Sequence, residues 1–69
     1  MKLATHKTYL IYLVIDHEDD ARTYQFDNKE SALEWKKELV DDFGTNEGNV
    51  SVIERRYDEY GNWLAQKYI

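Results

Sequence analysis

The chain has 69 residues, a formal charge of −5 and neither Cys nor Pro. This length holds one small domain, residues 1–69, and without Cys it has no disulfide scaffold, thiolate metal site or Cys nucleophile. No apolar run approaches the roughly 20 residues of a membrane-spanning helix, and the acidic balance argues against direct nucleic-acid binding, which draws its affinity from Lys and Arg.

A hydrophobic content of 42% is too high for an ordinary disordered chain. Below about 70–80 residues, however, one core rarely supplies more than roughly 3–5 kcal/mol. Two Trp, six Tyr and two Phe are the main resource here. They fill one core, or some of them sit at an interface between chains.

Met1 to His6 shows no clear periodicity. The apolar run Tyr9 to Ile15 leads into Asp16, His17, Glu18, Asp19 and Asp20 rather than into a small-residue cleavage site. It therefore reads as a strand, not a secretion signal, and the cytoplasm is the expected location. Thr8 to Ile15 is rich in β-branched and aromatic residues, as strands are. Asp16 to Asp20 is a turn, and Arg22 to Phe26 is a second, shorter strand that completes a hairpin.

Asp27 is expected to cap a helix, with Glu30 at capping-box spacing. Gly44 is placed to end it in the left-handed conformation. At about 100° per residue, Ala32, Leu33, Trp35, Leu39, Val40 and Phe43 share a face. Lys36 falls inside this apolar arc, with its ammonium expected in water. Glu30, Glu34, Glu38 and Asp41 stripe the opposite side, together with Lys37. Like charges four apart cost a few tenths of a kcal/mol, so helix stability does not explain the stripe.

Thr45 to Asn49 reads as a polar loop and Val50 to Tyr57 as a third strand. Asp58 to Asn62 forms a turn, with Gly61 suited to positive φ. Trp63 to Ile69 is the fourth strand. The fold class is α+β: ββαββ, one helix on a four-stranded, mainly antiparallel sheet. A right-handed crossover puts the third strand beside the first, which gives the order 2-1-3-4.

The first strand is apolar on both sides, as a central strand is. One helix covers one sheet face, so the other is expected to expose some of Leu10, Tyr12 and Val14, the candidate partner-binding set, or their alternates on the same strand. An exposed patch of that kind marks an interface.

Chemistry-bearing motifs are sparse. Asp16, Glu18, Asp20 and Asp27 match four positions of a calcium-loop count, but Ala21 replaces the turn Gly and Asp27 the bidentate Glu. His6 and His17 stand at opposite ends of the first strand, too far apart to share a metal. Ser31 and Ser51 have no adjacent base, and Gly44 to Gly48 lacks the Lys of a phosphate loop. No catalytic residue, cofactor or metal ligand is assigned.

The expected function is that of a small, acidic, non-enzymatic protein-binding or regulatory protein that forms a homodimer through the sheet. The alternative rests on Glu30, Glu34, Glu38 and Asp41. Such a stripe can imitate a phosphate backbone, as in phage or mobile-element inhibitors that occupy a basic nucleic-acid-binding protein.

Overall fold

A computed structural model describes residues 7–69. His6 and the rest of the first six residues lie outside the described residues. The chain order is β1 (Thr8–Asp16), β2 (Arg22–Phe26), α1 (Lys29–Asp41), a short 3-10 turn (Glu47–Asn49), β3 (Val50–Asp58) and β4 (Trp63–Tyr68). The strands form one sheet in the order β2-β1-β3-β4, with every neighbouring pair antiparallel. Both the α+β class and the strand order match the sequence reading. β2 and β3 both oppose β1, so they run parallel to each other. A link between two parallel strands needs a long crossover, and α1 supplies it.

The first hairpin is set by an unusual turn. Asp19 and Arg22 are joined by a backbone bond of 3.0 Å, and the two central residues, Asp20 and Ala21, have φ of 52° and 56°. The loop comprises the five residues His17 to Ala21 between the paired Asp16 and Arg22, and positive φ at such positions is usually left to Gly or Asn. Ala21 accepts a backbone state that costs a non-glycine residue about 1–2 kcal/mol. The resulting register pairs Val14 with Tyr24 and Asp16 with Arg22.

The helix begins one residue later than expected. Asn28, not Asp27, is the cap: its side chain accepts from the Ser31 N–H at 2.8 Å, while Asp27 Oδ1 accepts from Asn28 Nδ2 at 3.0 Å. Asn caps as well as Asp does, and a cap at 28 places Ser31 where a capping box needs Glu or Gln. At the other end Gly44, at φ 72°, turns the chain back, and the Thr45 N–H donates to the Leu39 carbonyl at 2.9 Å.

α1 packs on β1, β2 and β3. Ala32 and Leu39 meet Tyr12, Val14, Val50 and Val52, with Leu10, Tyr24, Phe26, Trp35 and Val40 around them. Val14, at the centre, has no exposed surface. Leu33 and Phe43, expected on this face, are exposed instead. Phe43 lies two residues beyond Asp41, the last helical residue, and so leaves the helical register. Lys36 is half-buried and reaches Glu47 with Nζ 3.9 Å from Oε1.

The packing corrects one site assignment. Leu10, Tyr12 and Val14 lie under the helix and are not the uncovered face. The reason is the hairpin register: Val14 stands beside Tyr24, whose face is the apolar one of β2. The alternate set, Tyr9, Ile11, Leu13 and Ile15, therefore lines the face away from the helix.

Candidate functional site

The open face of the sheet can be built strand by strand. Register places Tyr9 beside Tyr57, Ile11 beside Arg55, Leu13 beside Ile53 and Ile15 beside Ser51. On the outer strand, Tyr68 stands beside Ile53, Gln66 beside Arg55 and Trp63 beside Tyr57. A register shift at Arg56 and Tyr57 leaves Leu64 as an extra residue on β4. Such a bulge adds twist at a sheet edge.

This face has a buried centre and an exposed aromatic rim. Leu13 is 9% exposed and Ile53 4%, yet neither belongs to the core under the helix. Trp63 and Tyr68, by contrast, are 59% and 71% exposed. The Tyr9 and Tyr57 rings stack with centroids 5.7 Å apart. The Arg55 guanidinium lies 4.7 Å from the Trp63 ring centroid. It donates to Gln66 Oε1 from Nε at 3.0 Å and from Nη2 at 2.8 Å, and to the Tyr57 hydroxyl at 3.4 Å. Arg55 is thus held flat by a cross-strand amide and an indole, with no carboxylate paired to it among the described residues.

The helix side of the same wing is ionic. The Tyr12 hydroxyl donates to Glu54 Oε2 at 3.2 Å, and Lys67 Nζ lies 3.6 Å from Glu54 Oε1. Burial pushes the Tyr12 hydroxyl above the ordinary phenol value, and the adjacent Glu54 carboxylate acts in the same direction. The far turn is pinned by Asp58. Its carboxylate accepts from the backbone N–H groups of Asn62 at 2.8 Å and Tyr60 at 2.9 Å and from Asn62 Nδ2 at 3.0 Å. These bonds, led by those from Asn62, hold its pKa below the ordinary Asp value.

The acidic first turn is structural where it can be traced. Glu18 Oε2 accepts from the Asn46 N–H at 2.8 Å and from Asn49 Nδ2 at 2.9 Å, which ties the turn to the loop before β3. The Asn49 bond, then the Asn46 bond, lowers the Glu18 pKa. His17 Nε2 and Ser51 Oγ are 2.9 Å apart on the same rim. Among the described residues no three His, Asp or Glu side chains are grouped to share a metal ion, so Asp16, Glu18, Asp20 and Asp27 do not converge.

Glu30, Glu34, Glu38 and Asp41 are all exposed on α1, as their spacing implies. The same helix carries Lys29, Lys36 and Lys37. Its field is mixed rather than uniformly negative. No helix among the described residues is long and apolar enough to cross a membrane.

The alternation of β2 contained the signal for the open face. Tyr24 and Phe26 are apolar where Thr23 and Gln25 are polar, and a hairpin carries that distinction onto β1. Arg55, Gln66 and Trp63 share no pattern along the chain; only the β3–β4 register brings them together.

The fold and site define a small α+β protein whose sheet packs against α1 on one face and carries an exposed aromatic rim beside a buried centre on the other. No protein-family model, curated protein or solved structure matches the chain.

Proposed function

We propose that this chain is a non-enzymatic binding protein that self-associates through the open face of its sheet. The observation that carries the reading is the arrangement around Arg55: a cation laid on Trp63, flanked by Tyr57 and Tyr68, beside the buried pair Leu13 and Ile53. Binding energy at interfaces concentrates in Trp, Tyr and Arg set around a desolvated centre. Arg55 is already restrained, so ordering it costs little further entropy on association. The strand positions of this face carry no carboxylate. Two copies meeting face to face would then oppose apolar and aromatic surface, with one Arg55 each, in the self-complementary manner of a two-fold dimer.

Sedimentation velocity over a concentration series tests this. A concentration-dependent dimer is expected, and Trp63→Ala with Tyr68→Ala should return it to monomer. A strict monomer at concentrations on the order of tens of micromolar, where a dissociation constant of about 1 μM would be saturated, overturns the proposal.

The exposed stripe of Glu30, Glu34, Glu38 and Asp41 supports a second reading, an acidic inhibitor of a basic nucleic-acid-binding protein. Lys37 within the stripe and Lys29 and Lys36 beside it favour the sheet face as the primary surface. The mark of the second reading would be salt-sensitive binding, lost on Glu34→Lys with Glu38→Lys and indifferent to Trp63→Ala.

A further inference from the structure

A second feature lies at the other end of the sheet, between the first hairpin turn and the C-terminal end of α1. A cleft of about 220 Å³ opens there, lined by Asp16, Tyr24, Trp35, Leu39, Phe43 and Thr45 among others. Three aromatic rings form one continuous wall. The Tyr24 and Trp35 centroids are 5.0 Å apart at 60°, and those of Trp35 and Phe43 are 6.0 Å apart at 57°. Phe43 is 68% exposed, an unusual position for a large apolar ring that completes a wall.

The polar lining comprises Asp16, Asp19, Thr45 and the indole N–H of Trp35, which is buried with no hydrogen-bond partner among the described residues. Of the two carboxylates Asp16 is the buried one, only 6% exposed. Its Oδ1 accepts from the Glu18 N–H at 3.0 Å. It has no other side-chain hydrogen bond and no ion pair among the described residues. A buried carboxylate without a cation is costly, and this one borders a cleft. Arg22 stands directly across the strand pair from Asp16 but turns away. Its Nη1 lies 3.8 Å from Asp19 Oδ2, and its guanidinium carbon lies 5.5 Å from the Tyr24 ring centroid. The rim thus already seats one cation on a ring and a carboxylate, while no cation among the described residues pairs with Asp16.

We propose that this cleft binds an alkylammonium group, with Asp16 as the counter-charge and Tyr24, Trp35 and Phe43 as its aromatic face. The chemistry follows from the lining. A cation within about 6 Å of ring centroids is attracted to their negative faces, and aromatic walls with an acid recognise methylated and quaternary ammonium groups. The volume is below the roughly 300–1,000 Å³ of pockets that enclose drug-sized molecules. It therefore suits a head group or the tip of a side chain. Because the cleft is on the helix side of the sheet, its occupation is independent of contacts at the open face.

Two-dimensional amide NMR of the whole chain, titrated with choline and with n-butylammonium, tests the site. The two arms separate a quaternary from a primary ammonium. At matched ionic strength, saturable shifts are expected at Asp16, Trp35, Phe43 and Thr45, with the Trp63 indole signal unmoved as an internal control. The uncharged isostere 3,3-dimethylbutanol should leave the same signals in place. Asp16→Asn should weaken binding about tenfold or more. Phe43→Ala, an exposed change that leaves the core intact, should weaken it about fivefold, equivalent to about 1 kcal/mol of cation–π attraction. Arg22→Gln removes the internal competitor and should tighten it. Equal shifts with the neutral isostere, no saturation by about 100 mM, a hundredfold above a 1 mM constant, or full affinity in Phe43→Ala would each overturn the assignment.

Discussion

β3 passes through two environments. Its first half, Val50 to Ile53, is buried on both faces except for half-buried Ser51; its second half, Glu54 to Asp58, is half-buried or exposed throughout. The helix lies over the first half, while β4 pairs with the second and is exposed along its whole length. The side chains differ accordingly. Small β-branched residues pack under α1, whereas Arg55, Tyr57, Trp63 and Gln66 hold one another on the wing, with Tyr68 exposed beyond them. The first region excludes water and supplies the stability that a small core can give. The second keeps order with only partial burial, through a cation laid on an indole and an amide that grips it. A surface that is rigid and still open is suited to meeting another molecule.

The comparison is broken most forcefully in the core. Leu39→Ala removes a side chain that is 4% exposed and should cost about 2–5 kcal/mol, enough to unfold much of a domain this small, as denaturant titration would show. Trp63→Ala should do the reverse. Monomer stability should change by less than about 1 kcal/mol, the scale of an exposed cation–π contact, while self-association weakens by about 2 kcal/mol or roughly thirtyfold. Matched denaturation and sedimentation data on the two variants would separate the roles. Loss of stability in Trp63→Ala comparable to that in Leu39→Ala would merge the two regions into one.

Ala21→Gly sharpens the comparison. It relieves the positive φ of the first turn and should stabilise the helix-covered half by about 1 kcal/mol. Thermal melting would show the gain, and dimerisation should be unchanged.

Acid should loosen each region at one pinned carboxylate. Folding lowers the pKa of Glu18 and of Asp58, so their contribution to stability is complete above the unfolded values of about 4 and is lost as pH falls through and below them. Glu18→Gln should flatten this dependence for the first turn, and Asp58→Asn for the wing turn. Amide exchange resolved by residue would follow each. Equal acid sensitivity in the variants and the parent chain would remove these bonds from the account.

Much of this division can be read in the residues, and part of it cannot. The four strands, the helix and their order follow from the β-branched runs, the polar interruptions and the crossover rule. The cap falls one residue later than the spacing predicts because Asp27 and Asn28 are near-equivalent caps. β1 is apolar on both sides, so it leaves open which of its alternations faces away from the helix. β1 alone carries no preference, and Tyr24 and Phe26 settle the matter through the hairpin register. Arg55 on Trp63 is a pairing between strands across a bulge, and a one-residue shift would dissolve it. The cleft around Asp16 draws on β1, β2, α1 and the loop that follows the helix, so no local pattern announces it.

The central claim is that the open face, and not the acidic helix stripe, is where this chain associates. Its most direct test is a residue-resolved NMR dilution series. The account predicts concentration-dependent shifts at Tyr9, Arg55, Tyr57, Trp63, Gln66 and Tyr68, with Glu30, Glu34, Glu38 and Asp41 unchanged. Shifts confined to the helix stripe, or none at any concentration, would contradict it.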